Sequence, residues 1–451
     1  MDLKARTAEQ LSVNTIRGLA MDAVQKANSG HPGTPMALAP VAYTIFTKFL
    51  RHNPANPEWP DRDRFVLSVG HASMLLYSAL HLTGYDLSLQ DLKDFRQWGS
   101  KTAGHPEYGH TPGAEATTGP LGQGFANGVG MAMAERFLAE RYNRPGHEIV
   151  DHHVYALCSD GDLMEGVSQE AASIAGQLGL GKLIYVYDDN HITIDGTTEM
   201  SFDREDKAMR FEAYGWHVQR VENAEDLEAI EAALRTAKEE TERPSLIVLR
   251  SRIAYPAPNA VDTSKAHGAP LGEDEIRATK EVMGFDPDEQ FAVSEEVYEH
   301  MSMAEKGREL ETEWREHFEA WRGEDPLLAE EWDRAWSGQL EPGYEEALPT
   351  WDPSDTEKLA TRKAGAAAMD AIKDYAPTMV GGAADLVEST GSELKGGGLF
   401  SASGAGRNVA WGIREHAMGS AVNGMALHGG IVKPFGSTFL IFSDYMRPAI
   451  R

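Results

Sequence analysis

The segment from Val154 to Asn190 constrains the fold more than any other part of the chain. Two short apolar runs, Val154–Leu157 and Leu183–Tyr187, flank a stretch with helical apolar spacing, Val167–Leu178. The order strand, helix, strand needs a crossover that returns the second strand in the direction of the first, so a parallel sheet is predicted. Pro244–Leu249 reads as a further buried strand. Asp160 falls where the first strand ends and Gly161 opens a turn; Asn190, 30 residues on, falls at the end of the second strand. In a parallel sheet both tips share the C-terminal edge, where ligands bind. A carboxylate and an amide oxygen at that edge suit Mg²⁺, which prefers hard oxygen ligands and completes its octahedron with phosphate and water. Taken alone, Asp160-Gly161 is more often an ordinary turn and Asp188-Asp189-Asn190 a polar loop, because short motifs recur by chance.

The chain has 451 residues, 41% apolar and 25% charged. That is globular composition and suggests two or three domains. A single cysteine, Cys158, excludes an intrachain disulfide and a zinc site of several thiolates. The start, Met-Asp-Leu-Lys-Ala-Arg, lacks the apolar core of a signal peptide, and no apolar run approaches the roughly 20 residues that span a bilayer. A cytoplasmic location is therefore expected. The 42 basic against 70 acidic residues leave a net charge of −28, which argues against nucleic acid and anionic membranes as partners. Any phosphate ligand must be held by local devices.

Residues 12–28 read as an amphipathic helix with Val13, Ile16, Ala20, Ala23, Val24 and Ala27 near one face, stopped by Ser29-Gly30. Residues 121–142 form a second helix whose small residues permit close packing. Residues 272–335, rich in Glu, Arg and Trp, read as solvated helices trailing from a first domain over 1–335. Residues 336–353, with Gly338, Pro342, Gly343, Pro349 and Pro353, read as a linker. A second domain over 354–451 carries helix 360–374, strand 378–381, a Gly-rich loop at 391–406, helix 413–427 and an apolar segment at 435–446.

Ser159-Asp160-Gly161 with Asp189-Asn190 resembles the thiamine-diphosphate signature, with Ser159 in place of its first Gly and Asp189 in place of its first Asn. Ser29–Gly33, Gly70–Ser73, Gly104–Glu107, Thr118–Gly124, His267–Leu271, Gly381–Leu386 and Ile413–His416 resemble transketolase motifs, in that family's order. The resemblance runs from about residue 8 to residue 451, is loose only over 272–335, and is specific as a set although each piece alone is weak.

The resemblance implies an α/β, parallel-sheet thiamine-diphosphate-binding fold: a diphosphate-binding domain followed by an incomplete pyrimidine-binding domain. It implies Mg²⁺, with Ca²⁺ or Mn²⁺ as substitutes, on Asp160, Asn190 and the Ile192 carbonyl. Cofactor contacts fall to His71, Gly119, Leu121, Gly161, Glu165, His267 and Asp385. Glu415 becomes the carboxylic acid that activates the aminopyrimidine, where its bland alternative is a helix-surface Glu. Phe439, Phe442 and Tyr445 hold the pyrimidine ring, although aromatics at such spacing are more often core. His31, His105 and His267 line the donor channel as proton carriers. They could instead suggest zinc, but no two have the helical i, i+4 spacing with a third ligand nearby. Arg362 and Ser389 grip a sugar phosphate, the guanidinium bidentately; Arg362 is otherwise an ordinary charge at a helix start.

The activity so implied is the reversible transfer of a two-carbon ketol unit from a ketose phosphate (xylulose 5-phosphate, sedoheptulose 7-phosphate) to an aldose phosphate (ribose 5-phosphate, glyceraldehyde 3-phosphate). It proceeds through a thiamine-diphosphate carbanion, in a homodimer with shared active sites. The alternatives are a dihydroxyacetone synthase and a non-catalytic cofactor-binding fragment. Transketolases continue past a position like Arg451, so the expectation is an incomplete chain that keeps the Mg²⁺–diphosphate half-site.

Overall fold

A computed structural model describes residues 7–354 and 358–451. The chain divides into two compact units: Met1–Phe125 with His153–Gly166 and Gly181–Glu313, and Ala126–His152 with Val167–Leu180 and Trp314–Arg451.

The first unit is built on a five-stranded, fully parallel sheet. Its strands are β1 (Arg64–Leu67), β2 (Val154–Ser159), β3 (Leu183–Asp189), β4 (His217–Val221) and β5 (Ser245–Arg250), in the order β1-β2-β3-β5-β4. β2 is buried along its whole length and β3 along all but its last residue. A strand covered on both faces reads as a continuous apolar run, and these are the two runs the sequence displays. Register sets Cys158 against Tyr187 and Ser159 against Asp188, so the residues that follow the two strands emerge side by side. The first helix runs from Ala8 to Ala27. It starts earlier than periodicity alone places it because the Thr7 hydroxyl accepts the Gln10 N–H at 3.2 Å; it ends at Asn28 in the left-handed conformation. Its Val13, Ile16, Ala20, Ala23 and Val24 join the main core.

The acidic helices are solvated on one face only. Val297 and Met301 join the core of the first unit. In the second unit Trp314, Trp321 and Trp332 are buried around Phe318, at ring-centroid distances of 4.9, 5.3 and 5.5 Å from it, the first two stacked and the third tilted. The acidic composition hides an indole face.

The second unit holds a smaller sheet of β6 (Met379–Ala383), β7 (Leu399–Ser401), β8 (Gly404–Ala405), β9 (Asn408–Val409) and β10 (Lys433–Ser437), ordered β10-β6-β9-β7-β8. All its pairs are parallel except the β7–β8 hairpin. That hairpin lies inside the stretch expected to be a loop. It closes because Gly406 brings two backbones together: a Cβ there would stand 2.4 Å from the Gly398 carbonyl carbon. The helix Gln123–Tyr142 meets the helix Glu415–Leu427 at two glycines. A Cβ on Gly130 would lie 2.0 Å from the Ala421 oxygen, and one on Gly424 would lie 2.0 Å from the Asn127 oxygen. Among the described residues no helix is long and apolar enough to cross a membrane.

Candidate cofactor and metal site

The C-terminal ends of β1, β2 and β3 open onto a cavity of about 460 Å³ in the first unit, lined by His31, His71, His105, Gly119, Leu121, Gly161, Asn190, Ile192 and His267 among others. Nine residues proposed from sequence, spread over more than 230 positions of chain, meet at one place. Glu165, exposed at the end of the short helix Asp160–Met164, does not line it.

The four imidazoles form a cluster. The His31 ring stands 5.1 Å from His71, 6.2 Å from His105 and 5.7 Å from His267, and His71 stands 4.8 Å from His267, between ring centroids. Burial is the leading reason that all four are held below the ordinary imidazole range, because desolvation disfavours the cation. His31 is brought down to about 4 by burial, with His267, Arg96 and His105 adding. His71 lies well below its usual value, and Arg96 adds to the lowering of His105. The cluster is neutral at pH 7, so each ring keeps one donor and one acceptor nitrogen. Nδ1 of His31 and Nδ1 of His267 are buried with no hydrogen-bond partner.

At the strand tips, Asp160 Oδ1 accepts the Tyr187 hydroxyl while its Oδ2 is buried with no hydrogen-bond partner. Burial pushes this carboxyl up to about 6, against the Tyr187 hydrogen bond, with Asp189 raising it further. Asn190 is fixed on both sides. Its amide donates to Asp188 at 2.6 Å, and its Oδ1 accepts the Ile192 N–H at 2.8 Å. Asp188 also accepts the Ser251 hydroxyl. An orphaned buried carboxylate oxygen beside an oriented amide oxygen fits a hard divalent cation. Among the described residues no three His, Cys, Asp or Glu side chains gather as a metal cage, so such an ion would take one carboxylate, one amide and one carbonyl and fill the rest from its ligand.

The loop opposite is tied to the same edge by Asp162. Its carboxylate accepts the Ser68 hydroxyl at 2.6 Å, the Gly122 N–H at 2.8 Å and the Ser159 N–H at 3.0 Å. The backbones run too close for a side chain at Gly70, where a Cβ would stand 2.5 Å from the Gly119 nitrogen, and at Gly161 a Cβ would meet the end of the Leu121 side chain, 2.6 Å from Cδ1. Gly119 itself has φ +135°, a conformation that favours glycine. The result is a glycine-lined cradle of the kind that lets backbone N–H groups approach an anion.

In the second unit Glu415 opens the helix Glu415–Leu427 and is only 8% exposed, which sets aside the surface alternative. Glu170 lies nearby, accepting the Ala417 N–H at 3.0 Å. Burial pushes the Glu170 carboxyl up and Glu415 adds to that, against the Ala417 bond and Arg414. Phe439, Phe442 and Tyr445 form a ladder along the 3₁₀ segment Leu440–Met446, with centroids 5.9 and 6.1 Å apart. None of the three is buried, and Tyr445 is 66% exposed, so they present faces and do not build a core. Asp385 follows β6 at φ +55° and is exposed. Arg362 and Ser389 are exposed on the packed helices Thr361–Ile372 and Val387–Thr390.

Sequence reasoning missed Asp162, Tyr187, Asp188, Ser251 and Glu170. Asp188 stood inside the quoted Asp188-Asp189-Asn190 and Tyr187 closed the second apolar run, while Asp162 lay one residue past the quoted Ser159-Asp160-Gly161; their place at a strand tip was the available signal. Ser251 and Glu170 carried none.

Residues 8–341 match the family described as "Transketolase, thiamine diphosphate binding domain", and residues 357–451 match "Transketolase, pyrimidine binding domain". The transketolase of Geobacillus stearothermophilus is 55% identical over 450 residues, covering 99% of this chain and 67% of its own. That of Bacillus subtilis is 51% identical over 448 residues, with 99% and 67% covered. The crystal structure of Pichia stipitis transketolase in complex with sedoheptulose 7-phosphate superimposes with TM-score 0.95 at 46% identity, over 98% of this chain and 66% of that one. Leishmania mexicana transketolase gives TM-score 0.95 at 43% identity, over 99% and 66%. The chain thus spans about two thirds of the length of the relatives it matches.

Proposed function

The chain belongs to the transketolase family, and from that membership and the geometry of the histidine-lined cavity we propose that it serves the reversible transfer of a two-carbon ketol unit between sugar phosphates. The donors are ketose phosphates such as xylulose 5-phosphate and sedoheptulose 7-phosphate; the acceptors are aldose phosphates such as ribose 5-phosphate. Thiamine diphosphate, the cofactor of this family's first domain, supplies a carbon nucleophile and an electron sink when bound. The observation that carries the reading is the buried, orphaned Asp160 oxygen at the strand tip between Ser159 and Gly161, both of which line the cavity of the four neutral imidazoles.

Asp160, Asn190 and the Ile192 carbonyl hold Mg²⁺, or Ca²⁺ or Mn²⁺ in its place. Gly119, Leu121, Gly161, His71 and His267 hold the diphosphate, with Glu165 at its margin. His31, His105 and His267 take protons from and return them to the substrate hydroxyls, a role that needs the neutral ring. Glu415 holds a proton at the aminopyrimidine, Asp385 adds a polar contact, and Phe439, Phe442 and Tyr445 supply aromatic faces. Arg362 and Ser389 bind the sugar phosphate. The domains divide as 1–335 and 354–451 about a linker at 336–353. The protein works in the cytoplasm as a homodimer with shared active sites, and takes no nucleic acid or membrane as partner.

The test is direct. Purified protein is titrated with thiamine diphosphate and Mg²⁺ by calorimetry, then assayed with xylulose 5-phosphate and ribose 5-phosphate. Metal-dependent binding with consumption of both sugars supports the full reading. Binding without consumption supports the half-site alone and a non-catalytic role for this length of chain. Absence of binding by wild type, with Asp160→Asn indistinguishable from it, overturns the site.

A further inference from the structure

We propose that Arg96 is a positioning residue for the histidine cluster: its guanidinium ties the turn carrying His31 to the loop carrying His105. The proposal rests on the reading of those histidines as the substrate-facing wall, and it concerns a residue outside the motifs that identify the family.

Arg96 follows the helix Leu89–Lys93 and adopts φ +61°, left-handed for a residue that has a side chain. Such backbone strain persists only where the surroundings over-determine it. Here the Arg96 N–H donates to the Thr102 carbonyl at 2.9 Å, which aims the side chain at two loops. Its Nη1 donates to Ser29 Oγ at 2.8 Å, two residues before His31. Its Nε, Cζ and Nη2 crowd the face of Gly104, where a Cβ would stand 3.0, 3.1 and 3.3 Å from them. Gly104 immediately precedes His105. The neighbouring Phe95 completes the junction, since a Cβ on Gly30 would stand 3.0 Å from its ring.

The junction reaches a third histidine. The Gly104 carbonyl accepts the Ser73 hydroxyl at 2.9 Å and the Ala103 carbonyl accepts the Tyr77 hydroxyl at 2.8 Å. Both donors lie on the helix that begins just after His71. Among the described residues no carboxylate pairs with Arg96, and its Nε is buried without a hydrogen-bond partner. The positive charge is therefore spent on its neighbours. His31 faces Arg96 and the imidazoles of His71, His105 and His267; His105 faces Arg96 and His31. A fixed cation opposes a second positive charge on either ring and keeps a nitrogen lone pair available on each.

The test uses the whole 451-residue chain and reads imidazole titrations by NMR together with amide hydrogen exchange, so it involves no turnover and stands apart from any failure of the ketol-transfer reading. In Arg96→Gln the titration midpoints of His31 and His105 should rise by at least about half a unit, while His267, whose lowering comes from burial, stays in place. In Arg96→Lys, which keeps the charge without the fork, the midpoints should stay low while amide exchange at Gly30 and His31 quickens by about tenfold. Ser29→Ala, the milder variant should Arg96→Gln fail to fold, should quicken exchange in the same turn and leave the midpoints unchanged. The proposal is overturned if Arg96→Gln folds with both midpoints unmoved, or if Ser29→Ala and Arg96→Lys leave the turn's exchange at the wild-type rate.

Discussion

Asp162→Ala should loosen the cofactor loop by a measurable amount. The carboxylate is fully buried and accepts three hydrogen bonds, from Ser68 Oγ, Gly122 N–H and Ser159 N–H. Each bond to a charged group contributes about 1.5–3 kcal/mol net, but burying an anion with no cation beside it offsets part of that. Burial accordingly pushes the Asp162 carboxyl up, against those three donors. For the loop, the relevant loss is the Gly122 bond together with an N–H left without an acceptor, about 2–3 kcal/mol. At 1.36 kcal/mol per tenfold, that is roughly a 30- to 160-fold faster exchange of the Gly122 amide. The dissociation constant for thiamine diphosphate should rise by a comparable factor, because binding must then reorder the loop. Asp162→Asn keeps one acceptor oxygen but turns an N–H toward one of the donors, so it should fall between alanine and wild type. Hydrogen exchange by mass spectrometry and calorimetric titration measure both effects. If Gly122 exchanges within about threefold of wild type in Asp162→Ala, the loop is held by other contacts, such as the Thr118 N–H on the Pro106 carbonyl, and the reasoning fails.

His52 should make the fold acid-sensitive. It is fully buried, with Nδ1 against the Tyr85 hydroxyl at 2.9 Å and Nε2 against the Phe46 carbonyl at 3.0 Å, and burial brings it down to about 4 from an ordinary 6.5. Because the folded value is the lower one, its contribution is complete above pH 6.5 and is lost as pH falls toward 4. The size is roughly 3 kcal/mol, read as the difference in urea-unfolding pH slope between wild type and His52→Gln. Gly70→Ala should abolish high-affinity cofactor binding, since the new Cβ would lie 2.5 Å from a backbone nitrogen that cannot swing aside; unchanged calorimetric affinity would count against the cradle. Cofactor association should also quicken, by about two- to fivefold, between 10 and 100 mM salt, because a chain of net charge −28 repels a diphosphate and screening relieves that repulsion. A stopped-flow rate that falls with salt would show that a local positive field dominates.

What was legible in the sequence followed from which physics acts locally. The two apolar runs announced parallel strands because both faces of β2 and β3 are covered, and a covered strand has no polar alternation to blur it. The glycine-bearing loops were legible because backbone approach leaves a residue-type requirement at single positions, as at Gly70. The indole face of the acidic helices was obscured for the opposite reason: a few buried rings at helical spacing are outvoted in composition by the charges on the other face. The partners that orient the site were not legible at all. Ser68 reaches Asp162 across 94 residues and Ser251 reaches Asp188 across 63, and a serine carries no mark of the strand tip it will meet. The neutrality of the histidines belongs to the same class. Nothing in the composition of His31, His71, His105 or His267 lowers their basicity; what lowers it is that four separate segments exclude water from one cavity. The chemistry of the site is therefore a tertiary property laid over locally encoded parts. Among those parts, the residues that fix protonation and orientation are the ones a motif leaves out, as Asp162, Ser251 and Arg96 show.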